Sequence, residues 1–98
     1  MPRPVRFSVL AEADFMEVWR YTADGWGSDQ ADVYLDAFGA AFQQLAAQPM
    51  MGAKRDGVRE EYRVLFVGEH AVYFRVTVPA VRVVRVLHGR MDPLRHLQ

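Results

Sequence analysis

The sequence predicts an α+β domain of order β-α-α-β-β-β, a helical hairpin packed on one face of a small, mostly antiparallel sheet. Three observations carry this. Apolar residues recur at helical spacing through the first half and alternate with period two from Tyr62 onward. Gly25-Trp26-Gly27 interrupts the helical half with a turn too short for anything but an antiparallel pair. Gly68-Glu69 separates two alternating runs by two residues, the spacing of a tight hairpin. The 98 residues are 51% hydrophobic, enough for one folded domain, read as residues 1–98.

Each element has its own signal. Val5, Phe7 and Val9 alternate with polar neighbours and predict a first strand. Ala11, Phe15, Val18, Trp19 and Thr22 share a helical face, placing the first helix over about Ala11–Asp24. Ser28 is the expected N-cap of the second helix, with Asp29 in its first turn. Ala31, Tyr34, Leu35, Phe38, Phe42 and Leu45 form its apolar stripe, and Pro49 ends it. A loop over 49–61 carries Gly52 and Gly57. Strands follow over 62–67, His70–Val78 and Val81–His88, the last apolar on both faces and so expected in the middle of the sheet. Gly89 and Pro93 bracket a tail with room for one helical turn.

One sheet face is left open by this arrangement. Arg63, Tyr73, Arg75 and either Arg82 or Arg85 are expected on it, and such side chains on a sheet face need water, a ligand or a partner.

Charge narrows the function. Lys plus Arg and Asp plus Glu are 12 each, a net charge of zero, so no bulk basic field for nucleic acid exists. Residues 1–53 hold three Arg against seven acids; residues 54–98 hold nine Lys/Arg against five acids. The two signs therefore belong to different layers of the fold. Cysteine is absent, which excludes disulfides, thiolate nucleophiles and cysteine-ligated zinc and fits a reducing compartment. No apolar run is long enough to span a membrane, and the first residues lack the apolar core of a signal peptide. His88, Asp92 and His96 are spaced four apart, but Gly89 and Pro93 break the helix that would align them, so no metal site is assigned. Ser8 and Ser28 sit in no nucleophile elbow. Glu60, Glu61, Arg63, Tyr73, Arg75, Arg85 and His88 are the residue types that cleave RNA by 2′-hydroxyl attack. The same arginines serve equally to pair with acids or grip a protein, and strand pattern alone shows no convergence. No catalytic residue is assigned.

The order and spacing of several short segments resemble the ParE branch of the RelE/ParE toxin superfamily, the toxin half of bacterial toxin–antitoxin pairs. Ala11-Glu12-Ala13-Asp14, Val18-Trp19-Arg20-Tyr21, Trp26-Gly27, Tyr34-Leu35, Phe42-x-x-Leu45-Ala46 and Pro49-Met50-Met51-Gly52 carry it through the first half. Tyr73-Phe74-Arg75-Val76 and Arg85-Val86-Leu87-His88-Gly89-Arg90-Met91-Asp92 are the most specific matches. The resemblance implies a cytoplasmic toxin without a cofactor that inhibits DNA gyrase. It also implies a ParD-like antitoxin whose flexible C-terminal part folds onto the toxin. No membrane and no specific nucleic acid is expected as a partner. Candidate antitoxin contacts are Arg63, Tyr73, Arg75 and Arg82; candidate gyrase contacts, on the tail, are Arg90, Arg95 and His96. The alternative is a RelE-type ribosome-dependent mRNA endoribonuclease. That branch often combines basic residues with a C-terminal catalytic Tyr or His; this tail has no Tyr, but His88 and His96 are present.

Overall fold

The computed structural model describes residues 2–54, 58–59 and 61–97. Gly57 of the expected loop and Glu60 of the candidate ribonuclease set lie outside the described residues.

A short strand β1 (Val5–Phe7) leads into helix α1 (Val9–Trp26), and α2 (Ser28–Ala47) returns antiparallel to it. Strands β2 (Arg63–Val67), β3 (His70–Val76) and β4 (Val81–His88) follow, with a single turn of helix α3 (Pro93–His96) at the end. The sheet order is β1-β4-β3-β2. β4 pairs antiparallel with β3 and parallel with β1, which places it inside the sheet as its composition predicted.

Two helix boundaries differ from the sequence reading, both because of capping. Ser8 ends the strand early: its Oγ accepts from the Ala11 N–H at 3.0 Å, so α1 begins at Val9 rather than Ala11. At the other end the helix runs through Gly25 and Trp26. Gly27 alone makes the break, at φ 94°, and also caps α2, so Ser28 is the first helical residue and not the cap.

The helical hairpin covers one sheet face. Ala11 and Val18 of α1 and Phe38 and Leu45 of α2 bury against Val67, Val72, Phe74, Val81, Val83 and Val86. Edge-to-face rings add to it, Phe15–Phe38 at 5.4 Å and Phe7–Phe42 at 5.1 Å between centroids. Trp19 Nε1 donates to Asp32 Oδ1 at 2.9 Å and pins the two helices together.

The opposite face is only partly open, which corrects the sequence reading. Leu97 of the tail folds under the sheet and closes a second apolar cluster with Tyr62, Val64, Ala71, Tyr73 and Leu87. Arg63 is also displaced from the face expected for it. It pairs with Phe74 across β2 and β3, so it lies on the helix side with Leu65 and Val67.

The β2–β3 turn is the tightest point of the fold. Gly68 has φ 56°, and a Cβ built there would lie 2.7 Å from the Tyr34 hydroxyl. Gly68→Ala should therefore lower unfolding stability by about 1–3 kcal/mol in urea titration, from backbone strain and from displacing Tyr34.

Candidate functional site

Beyond Val83, β4 has lost β1 as a neighbour, and its outer edge meets α1 instead. Ser8 N–H donates to the Val83 carbonyl at 3.0 Å, and Ser8 Oγ donates to the Val84 carbonyl at 2.6 Å. Asp14 then accepts from the Val86 N–H at 2.9 Å, and from Arg85 Nε and a terminal guanidinium nitrogen at 2.8 and 2.9 Å. Both side chains of this bidentate pair are 15% exposed. The bond to Asp14 raises the Arg85 pKa against the opposing effect of burial, so its charge is permanent. The other terminal nitrogen reaches the His96 carbonyl at 3.4 Å, tying the tail to the same clamp. Arg85 is thus a structural residue, and the open-face candidate that remains is Arg82.

Arg75 and Arg82 are exposed and sit directly opposite each other on β3 and β4. The other two candidates for antitoxin contact are placed elsewhere. A terminal nitrogen of Arg63 donates to the carbonyls of Met50 and Gly52 at 2.9 and 3.1 Å, holding the loop after α2. Tyr73 is 1% exposed within the second cluster. On the tail, Arg90 and Arg95 are exposed and His96 is half-buried. Asp92 caps α3 by accepting from the Leu94 N–H at 3.0 Å. Because α3 begins at Pro93, His88 and His96 lie on different elements.

The candidate ribonuclease set does not assemble among the described residues. Glu61 faces Arg59 at 3.8 Å, Arg63 holds a loop, Tyr73 is buried, and Arg85 is clamped. His88 instead meets a residue that the sequence reading passed over. His70 is its cross-strand neighbour, with ring centroids 5.3 Å apart. Tyr34 Oη lies 2.7 Å from His70 Nδ1, accepts from the Glu69 N–H at 3.3 Å and donates to the Val67 carbonyl at 3.0 Å. Tyr34 Oη and His70 Nδ1 share a hydrogen bond whose direction follows the His70 tautomer. His88 Nδ1 accepts from the Arg90 N–H at 3.2 Å, which leaves its proton on Nε2, 3.7 Å from Glu69. Two clefts, of about 440 and 330 Å³, meet at His70, His88 and the exposed Tyr21. Burial pushes the His70 pKa below its usual 6.5, the neighbouring His88 adds to the shift, and Glu69 opposes it. Burial raises Tyr34, so its hydroxyl stays protonated.

The whole is a four-stranded sheet backed on one face by a helical hairpin, with its tail tucked under the other. The chain is similar in fold to a chain of the chromosomal ParDE toxin–antitoxin system from P. aeruginosa, with a TM-score of 0.77 at 17% identity over 88% of this chain and 95% of that one. It is similar too to a chain of the toxin–antitoxin complex RelBE2 from Mycobacterium tuberculosis, with a TM-score of 0.60 at 21% identity over 90% of this chain and 99% of that one. Sequence is more specific. Residues 5–93 match the family described as ParE toxin of type II toxin-antitoxin system, parDE. Toxin ParE1 of Mycobacterium tuberculosis (strain H37Rv) is 44% identical over 91 residues, 92% of this chain and 93% of that protein. Toxin ParE1 of Caulobacter vibrioides is 37% identical over 95 residues, 97% and 98% of the two chains. The chain belongs to the ParE toxin family of type II toxin–antitoxin systems. Among the described residues, no helix is long and apolar enough to cross a membrane.

Two outcomes follow from this geometry. Asp14→Ala should cost about 2–4 kcal/mol in urea unfolding, because it leaves a largely buried guanidinium and the Val86 N–H unpaired. Swapping the charges with Asp14→Arg/Arg85→Asp should not restore stability, since the Val86 N–H would then face a donor; full recovery would show that the clamp acts as an ion pair alone. The second concerns pH. The folded His70 pKa lies below its unfolded value, so the unfolded chain binds the proton more tightly. The His70 contribution is complete above pH 6.5 and is lost as pH falls from 6.5 through the folded pKa. The urea midpoint should fall across that window in the wild type and stay flatter in His70→Gln.

Proposed function

We propose that this ParE-family toxin arrests growth in the bacterial cytoplasm by binding DNA gyrase, and that a ParD-like antitoxin holds it inactive. The supporting observation is the family match over residues 5–93 together with a surface suited to protein contact. The tail is fixed to the body by Leu97, which is buried, and by the His96 carbonyl, yet Arg90 and Arg95 point their charge outward. A net charge of zero gives little of the phosphate-binding field that a ribosome-bound nuclease uses.

The His70–His88 pair favours one second reading, RNA cleavage of the RelE type, because two imidazoles in one cleft can share acid and base roles.

The two readings separate in one set of assays. Arg90→Ala/Arg95→Ala should abolish growth arrest and inhibition of gyrase supercoiling. Antitoxin binding should be retained and unfolding stability changed by less than about 0.5 kcal/mol, since both side chains are exposed. Unchanged inhibition, or joint loss of stability and antitoxin binding, counts against the gyrase reading. Purified toxin should leave mRNA intact on translating ribosomes; site-specific cuts that vanish in His70→Ala or His88→Ala would put the nuclease reading in its place.

A further inference from the structure

The strand register places a third arginine beside the two already described. Arg6 of β1 is the partner of Arg82 on β4, and Arg82 is the partner of Arg75 on β3. Residues directly opposite in a sheet share a face. The neighbours of Arg6 in sequence, Val5 and Phe7, pack toward the helices, as do Val81, Val83, Phe74 and Val76. Arg6, Arg82 and Arg75 therefore form a straight row across three adjacent strands on the face that the helices leave uncovered. All three are exposed. None makes an ion pair or a side-chain hydrogen bond among the described residues. The tail covers the far end of this face, around Ala71, Tyr73 and Leu87, and leaves the row clear.

Such a row does nothing for the fold. Like charges directly opposite each other destabilise a sheet, and here the central arginine has one on each side. The acids of the helical hairpin lie with it on the other side of the sheet, where Asp14 binds Arg85 at the edge, Glu17 binds Arg20 and Asp32 binds Trp19.

We propose that the Arg6–Arg82–Arg75 row receives a short acidic segment of the antitoxin, whose carboxylates take the bidentate bonds these guanidinium groups lack. The proposal rests on the antitoxin partnership stated above and assigns it a surface. Two strand spacings make the row about 10 Å long, while same-side residues of an extended peptide are about 6.7 Å apart. Two or three acids at alternate positions therefore reach all three arginines. A nucleic acid fits less well. Three phosphate contacts release few counterions, and the acidic first half of the chain repels a long polyanion. The planar fork of arginine grips a carboxylate at two points as it does a phosphate, so the choice between them rests on the charge of the rest of the chain.

The test compares wild type with Arg6→Gln/Arg75→Gln/Arg82→Gln, titrating each with the antitoxin encoded beside the toxin and, separately, with a 20-nucleotide single-stranded RNA. The triple variant should bind the antitoxin at least tenfold more weakly at 50 mM salt and lose most of the salt dependence seen in the wild type. Its thermal midpoint should be equal or higher, because the repulsion is gone. Arg82→Lys should recover only part of the affinity lost by Arg82→Gln, since lysine cannot grip at two points. Antitoxin affinity within twofold of wild type overturns the proposal, as does a variant that loses RNA binding and keeps the antitoxin. A wild type that forms no antitoxin complex removes the partnership reading as well; wild-type binding that the triple variant retains removes this proposal alone.

Discussion

The Asp14 carboxylate is the point on which the fold turns. β4 is the hub of the sheet, yet β1 accompanies it only as far as Val83. From there its edge carries backbone donors and acceptors that burial under α1 would leave unsatisfied, at a cost of about 1–3 kcal/mol each. The first turns of α1 take over where β1 stops. Ser8 accepts from its own helix and donates to Val84; Asp14, two turns on, accepts from Val86 and grips Arg85. One short stretch of chain thus finishes a strand, caps a helix and completes a sheet edge.

The clamp is aligned by an irregularity that no periodicity reveals. Tyr73 faces Arg85 and Phe74 faces Val83, so β4 has one residue more than β3, a bulge at Val84. The bulge shifts the parity of the helix-facing residues from Val81 and Val83 to Val86. Val81–His88 is apolar on both sides because both faces are covered: Val81, Val83 and Val86 meet the helices, while Leu87 and Val84 pack in the cluster that Leu97 closes. The two-faced apolar pattern of β4 thus pointed to its interior place in the sheet. Plain alternation makes Arg82 and Arg85 alternatives for the open face; the bulge puts both on it, opposite Arg75 and Tyr73, and Asp14 at the sheet edge takes Arg85.

The helices were legible because a 3.6-residue period depends only on local spacing, and the sheet because alternation is equally local. The candidate site was less so, since it depends on what meets across long separations. Tyr73 read as a surface residue because nothing local indicates that Leu97 will fold under it. Arg63 was placed on the open side because alternation gives two faces but not which one the helices cover. His70 stood in plain view at the start of its strand. Counting back from the Gly68-Glu69 turn, and across to the end of β4, would have set it against His88. Arg6 was missed for a different reason: a parallel pairing between the first strand and the last is fixed by the whole topology, and only register shows three arginines in one row.

The halves of opposite charge acquire a physical meaning in this architecture. Six of the seven acids of residues 1–53 have places other than Asp14, on the outer surfaces of two helices that already bury their apolar faces. The sheet is built largely from the basic half, and its cations divide by what surrounds them. Arg85, walled by α1 and the tail, has a fixed carboxylate. Arg63, at the loop edge, has backbone carbonyls. Arg6, Arg75 and Arg82 are exposed and have neither among the described residues. A guanidinium enclosed within the chain must find its partner during folding, because leaving it unpaired would unfold so small a domain. One held in the open is under no such demand and remains available to whatever the surface meets. Arg82 and Arg85 share a strand and a face, and what separates the one that serves the fold from the one left for a partner is the carboxylate of Asp14 at the sheet edge.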